Sequence, residues 1–244
     1  TSPYSIELVD AIDSHVPAYK IGSGDITWLE IIEHIAKKGK PVIIASGSST
    51  FDDVERAMNT ILKFNSEIVL MQCNTNYTGS LENMKYINLN VLKTFRSMYP
   101  DVILGLSDHT PKHASVLGAI ALGARVIEKH FTDDTYREGP DHGFSMDPGS
   151  WKEMVEHSRE LEIALGYGIK TIEKNEMETV ILQRRCIRVR KNLAKGTVLD
   201  AKHLEVLRPC PLDGIPPYRI LEVIGMKVIK DYKKGEHLKW RDLT

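Results

Sequence analysis

The strongest constraint on this chain is a rhythm. Short apolar runs recur at Ala18–Ile21, Pro41–Ala45, Ile68–Met71, Val102–Leu106 and Arg125–Ile127, each followed by polar residues and then by an amphipathic stretch. Runs of this kind, rich in Ile and Val and without polar alternation, suit strands buried on both faces. Helix signals lie between them. Thr27-x-x-Glu30 reads as a capping box ahead of Leu29, Ile32 and Ile35, and Thr50-x-x-Asp53 as a second ahead of Val54, Ala57 and Ile61. Residues 84–98 form an amphipathic stretch that stops at Pro100. Thr110-Pro111 reads as an N-cap with Pro at the first helical position, and Ser150-x-x-Glu153 opens a stretch closed by Gly166. Strand alternating with helix at this spacing predicts βαβ units on a parallel sheet, with strands near 18–22, 41–45, 68–73, 102–107 and 124–130.

Past Lys174 the pattern changes. Cys186–Arg190 alternates like a half-exposed strand, and a weak repeat follows at an offset of 39 residues. Leu193-Ala-Lys195-Gly196, with Leu199 and Leu204, is echoed by Tyr232-Lys-Lys234-Gly235, with Leu238 and Leu243. Pro209, Pro211, Pro216 and Pro217 exclude long regular structure between the copies. The expected organisation is an α/β body over 1–166, a linker over 167–184 and a small β-rich module over 185–244.

Composition narrows the function classes. The 244 residues carry a formal net charge of −1, but Arg185–Thr244 carries +7 and the rest −8. A basic module on an acidic body suits an anionic small molecule or a partner subunit. No basic run is interleaved with aromatics, which argues against nucleic acid. No stretch reaches the ~20 apolar residues of a membrane helix. The first residues show neither a signal segment nor an initiator Met, so the chain reads as a fragment of a longer one. Three widely spaced cysteines, Cys73, Cys186 and Cys210, suit a reducing cytoplasm.

In parallel α/β proteins the site lies at the carboxyl ends of the strands. Those ends carry Lys20 with Gly22-Ser23-Gly24-Asp25, then Ser46-Gly47-Ser48-Ser49-Thr50. They continue with Cys73-Asn74-Thr75-Asn76-Tyr77, Ser107-Asp108-His109-Thr110 and Glu128-Lys129-His130. Small and hydroxyl residues there let backbone N–H groups approach a phosphate. His109 and His130 end consecutive strands, which lie ~4.8 Å apart, so both imidazoles can reach one borderline divalent metal. Asp108 and Glu128 are the candidate acceptors that would orient the two rings. His15, His34, His113 and His157 read as surface residues.

Lys20-Ile-Gly-Ser-Gly, Gly105-Leu-Ser-Asp-His-Thr110, Val126-Ile-Glu-Lys-His-Phe-Thr132 and Gly139-Pro-Asp-His142 together resemble the sialic acid synthase family. The resemblance implies a TIM barrel, here its strands four to eight, followed by an SAF (antifreeze-like) domain. About a hundred residues of the family would precede this chain, with a Glu and a second phosphate-binding Lys. It also implies condensation of phosphoenolpyruvate with N-acetylmannosamine or a related acetamido sugar, releasing phosphate. Carried over by position, His109 and His130 match metal ligands, usually for Mn. Lys20, Ser23, Ser46, Thr75 and Ser107 match phosphoenolpyruvate contacts, and Asp25, Tyr77 and Asp141 match sugar contacts. Arg208 matches an arginine that one subunit's SAF domain offers to the partner's barrel in a homodimer. Two other readings stay open: a different phosphate-handling aldolase or synthase, with Lys20 or Lys129 as Schiff-base lysine, and a non-catalytic carbohydrate binder.

Overall fold

The computed structural model describes residues 1–244, in two compact units, Thr1–Tyr167 and Gly168–Thr244. The first unit holds five strands, β1 Tyr19–Ile21, β2 Val42–Ala45, β3 Ile68–Cys73, β4 Ile103–Asp108 and β5 Ala124–Lys129. They form one sheet in sequence order with every pairing parallel, as a segment of a βα barrel requires. The helices are α1 Ile6–Ile12, α2 Leu29–Ala36, α3 Phe51–Leu62, α4 Val91–Met98, α5 Ala114–Ala121 and α6 Pro148–Leu165.

The pleat divides the sheet's side chains into two sets. Tyr19, Ile21, Val42, Ile44, Leu70, Leu104 and Leu106 join helix residues such as Ile32, Ile35, Met58, Ile61, Phe95 and Ile120 in the main core. The alternate positions form a separate, smaller cluster of Ala45, Val69, Met71 and Cys73, with Ile43 and Val126 against it. Gly105 belongs to this second face. A methyl group there would lie 2.8 Å from the Val126 carbonyl oxygen and 2.9 Å from the Met71 side chain, and the β4–β5 register shifts at this point.

Helix starts are where the structure departs from the sequence reading. Thr50 caps α3 in a full capping box with Asp53. Thr27 does not cap α2. A 3₁₀ turn at Ser23–Asp25 carries the chain on, the Trp28 N–H donates to the Asp25 carbonyl, and Trp28 takes the N-cap position. The 84–98 stretch is interrupted at Asn88, whose φ of 49° is left-handed, so only Val91–Met98 is α-helical. Thr110 gives its hydroxyl to Asp108 rather than to a helix end, and α5 begins after His113. Asp147 caps α6, accepting from Ser150, with Pro148 at the first helical position.

The second unit contains α7 Met177–Gln183, α8 Ile220–Val223 and an antiparallel pair, β6 Cys186–Val189 with β7 Leu204–Leu207. Its two repeat copies bond to each other. Leu193 and Tyr232, equivalent in the repeat, exchange both backbone hydrogen bonds, at 2.9 and 2.8 Å. The Gly196 N–H donates to Val228 and the Gly235 N–H to Val189, again equivalent positions. Both glycines have φ near +90°, where a side chain would be strained. Leu199 and Leu238 are both buried in the unit's apolar core.

Candidate active site at the strand ends

Every second residue of the sheet's smaller face runs on past the strand ends, and these side chains converge. The Lys20 ammonium donates to both Glu128 carboxylate oxygens, at 2.8 and 2.7 Å, across the width of the sheet. The Ser107 hydroxyl donates to the same carboxylate at 2.9 Å. Burial pushes the Glu128 carboxyl up, but Lys20 and Ser107 outweigh it and hold it below the usual range.

Beside this pair lies a small polar cradle. The Gly47 N–H donates to the Ser23 hydroxyl at 3.0 Å, and the Cys73 thiol lies 3.7 Å from the Thr75 hydroxyl. A methyl group on Gly47 would sit 1.9 Å from the Thr75 hydroxyl and 2.7 Å from that of Ser23. Only glycine lets the loop after β2 come this close. Ser46 faces elsewhere: its hydroxyl donates to the Met71 carbonyl at 2.9 Å and it is buried. At this point of the rim the structure presents Gly47, not Ser46, to the converging groups.

The imidazole rings of His109 and His130 are 5.2 Å apart between centroids, tilted by 59°. Tyr77 lies edge-on to both, at 4.4 and 5.9 Å, and Phe144 closes on them at 6.4 and 5.1 Å. His109 Nδ1 is 3.1 Å from the Asn74 carbonyl oxygen, and His130 Nδ1 is 3.5 Å from the Asp141 carboxylate. With Nδ1 of His130 turned to Asp141, its Nε2 is left to act as a ligand, while the His109 ring is held by Asn74 at Nδ1 and also hydrogen-bonds Cys73. The donor set, two imidazoles held side by side with carboxylate and carbonyl partners, fits a first-row divalent cation. Burial and the neighbouring His109 hold His130 below the ordinary histidine range, which favours the neutral, ligating form. Burial pushes His109 down, but Cys73 and the Asn74 carbonyl reverse it to a net rise. Cys73 is shifted the other way: burial raises it, and hydrogen bonding to His109, Ser23, Thr75 and Ser107 brings it below the usual thiol range.

Asp108 and Glu128 do not orient the rings. Glu128 is engaged with Lys20 and Ser107, and Asp108 points through the sheet to its other face. There the Lys129 ammonium donates to Asp108 at 2.7 Å, with both side chains essentially fully buried. Thr110 and Ser115 donate to the same carboxylate at 2.9 and 2.5 Å, and Lys129 also donates to the Thr110 carbonyl at 2.6 Å. Lys129 is therefore sealed away from the rim and is no Schiff-base candidate. Nor are His113 and His157 simple surface residues, since both are half-buried and hydrogen-bond each other at 2.9 Å.

Asp25 is half-buried in the turn after β1, next to Ser23, with no hydrogen bond from its carboxylate to the cluster. Tyr77 is half-exposed over the histidines, and burial raises its phenol. Arg208 is exposed in the second unit, just past β7, where the Arg208–Pro209 bond is cis. The sequence reading gave no individual site role to Gly47, Cys73, Phe144 or the Asn74 carbonyl. Period-two continuation of β2 and β3 would have found the first two. Phe144 sits in a 3₁₀ turn, His142–Phe144, with no such signal.

Known proteins carry the same plan. A family model described as the NeuB family matches residues 1–170, and one described as the SAF domain matches residues 184–244. An N,N'-diacetyllegionaminic acid synthase of Campylobacter jejuni is 32% identical over 97% of this chain and 70% of its own length. A pseudaminic acid synthase of Helicobacter pylori is 31% identical over 100% of this chain and 70% of its own. The crystal structure of the spore coat polysaccharide biosynthesis protein SpsE of Bacillus subtilis superposes with a TM-score of 0.63, at 28% identity, covering 100% of this chain and 72% of that one. The chain belongs to the NeuB family, with an SAF domain following its partial βα barrel.

Proposed function

We propose that this protein condenses phosphoenolpyruvate with N-acetylmannosamine or a related acetamido sugar to make a nonulosonic acid. The observation that carries this reading is the convergence of Lys20, Ser107, His109 and His130 on one face of the sheet at the strand ends. The names of the relatives point to the same chemistry.

Lys20, the hydroxyls of Ser23, Thr75 and Ser107, and the Gly47 loop would receive the phosphate and carboxylate of phosphoenolpyruvate. Glu128 keeps the Lys20 ammonium extended into the site until a substrate anion takes over as its partner. His109 and His130 would hold a divalent cation, Mn in the preferred reading, which when bound supplies a Lewis acid for the sugar's open-chain aldehyde. Tyr77 and Asp141 stand beside that position to bind sugar hydroxyls, and Asp25 does so from the β1 turn. In the overall change the methylene carbon of phosphoenolpyruvate bonds to the aldehyde carbon. Water adds at the enol carbon, and phosphate leaves with C–O cleavage. Arg208, exposed on the basic unit, would reach the site of a partner copy in a homodimer and help exclude water. The opposite net charges of the two units favour that docking. Three free cysteines suit a cytoplasmic enzyme, and no helix is long and apolar enough to cross a membrane.

The test is phosphate release by the protein expressed from its complete reading frame. It would be given phosphoenolpyruvate, Mn2+ and, in turn, N-acetylmannosamine and the diacetamido sugars that legionaminic and pseudaminic acid require. Release that depends on one of these sugars, and is lost in Lys20→Met, is expected. Borohydride trapping of a sugar on Lys20 would instead establish an aldolase.

A further inference from the structure

Away from the strand-end cluster, α5 and α6 bring three more ligating side chains together. His113 stands at the N-cap of α5, and Glu153 and His157 lie four residues apart, on one face of α6. One ligand atom from each of the three lies within 4.8 Å of the other two. His157 Nδ1 and His113 Nε2 are 2.9 Å apart, with ring centroids at 4.9 Å and a tilt of 52°. None of the three contacts His109 or His130. The helices beneath them are fixed by buried packing of Val116, Ala119 and Ile120 with Met154, so the ligands are placed by the scaffold rather than by loop motion.

We propose that His113, Glu153 and His157 form a second divalent-metal site, for a borderline cation of the Zn2+, Co2+ or Ni2+ class. The spacing supports it. At metal–nitrogen distances of ~2.0–2.1 Å, the ligand atoms of a tetrahedral site stand roughly 3.3–3.4 Å apart. The histidine pair is already at 2.9 Å, and a Glu153 carboxylate oxygen lies within 4.8 Å of both rings, so side-chain adjustment on a fixed scaffold brings the three toward one centre. A hydrogen bond between the two imidazoles accounts for the ring pair alone. It gives no role to Glu153, which has no ion pair or hydrogen bond of its own. Two imidazoles and a carboxylate select these ions over Mg2+ or Ca2+, which prefer all-oxygen cages. The site takes no part in the condensation. His113 lies four residues after His109, so an ion here would pin the loop leaving β4 to α6 and steady the rim from outside.

The experiment uses Zn2+ as probe and isothermal titration as readout, in a chain carrying His109→Ala and His130→Ala so that the strand-end pair is silent. One Zn2+ per chain is expected, with a rise in melting temperature. Adding His157→Gln, which can still hydrogen-bond His113, should weaken binding by at least about 100-fold, since even outer partners of metal ligands cost 10–100-fold when lost. Glu153→Gln, on an exposed position, should weaken it as well. Zn2+ affinity unchanged in both variants, or no bound ion in the double-alanine chain, would overturn the proposal and leave only a histidine–histidine hydrogen bond.

Discussion

At the ends of β4 and β5, neighbouring residues in the chain have opposite duties. Asp108 and Lys129 turn outward into the helix-covered core and make a fully buried ion pair. His109 and His130, one residue past the end of each strand, turn inward with ring centroids 5.2 Å apart. The pleat alone makes this division. The outward pair is registered by the ladder, where Asp108 and Lys129 are direct partners, and the same register sets the two histidines side by side. The inward groups meet through polar atoms at the strand ends, where Tyr77 and Phe144 pack on the two histidines. The outward groups are structural, and their energetics should differ accordingly.

Removing one member of the outward pair gives the largest stability effect. Lys129→Met leaves the Asp108 charge buried without its cation, and breaking such a pair costs about 3–5 kcal/mol. Urea unfolding should show a lowered midpoint at unchanged slope. A change below about 1 kcal/mol would mean that the pair is not sealed as the structure has it.

The inward pair should behave otherwise. The Glu128 side chain is 45% exposed, so it can turn to water when Lys20 is lost. Lys20→Met should therefore change stability by no more than about 1 kcal/mol at neutral pH. The Glu128 carboxyl is held below its ordinary range in the folded state. Its contribution is thus present above the unfolded carboxylate pKa and lost as pH falls through the lower folded value. The stability difference between wild type and Lys20→Met should accordingly shrink as pH falls from 6 to 3, when measured by urea unfolding at each pH. A difference that grows in acid would contradict the pairing.

How much of this was legible in the sequence follows the same division. All five parallel strands could be read from their short apolar runs, most plainly β3, which is buried on both faces and shows no alternation. The convergence of His109, His130, Lys20 and Ser107 was legible because the carboxyl ends of parallel strands lie on one rim. The partners were not. That Lys20 meets Glu128 from a strand 108 residues away depends on sheet curvature, which no local pattern encodes. Asp108 was misread as a ring acceptor although the pleat sends it to the far face. Ser46 was matched by the resemblance, whereas Gly47 reveals itself only through the 1.9 Å clash that a methyl group would make. Thr27 and Thr110 matched capping patterns, but a 3₁₀ turn and the Asp108 network claimed them first. In the second unit the 39-residue repeat was visible, but not that each copy's backbone bonds are made by the other.

The central claim is that the inward imidazoles hold a divalent cation. Titration of the chain with Mn2+, following the electron paramagnetic resonance signal of the free ion, tests it without relying on turnover. The account predicts bound Mn2+ in wild type and in Lys20→Met. It predicts loss of that binding in His109→Ala and in His130→Ala, with far-ultraviolet circular dichroism unchanged. Mn2+ bound as tightly by the chain lacking both histidines as by wild type would contradict it.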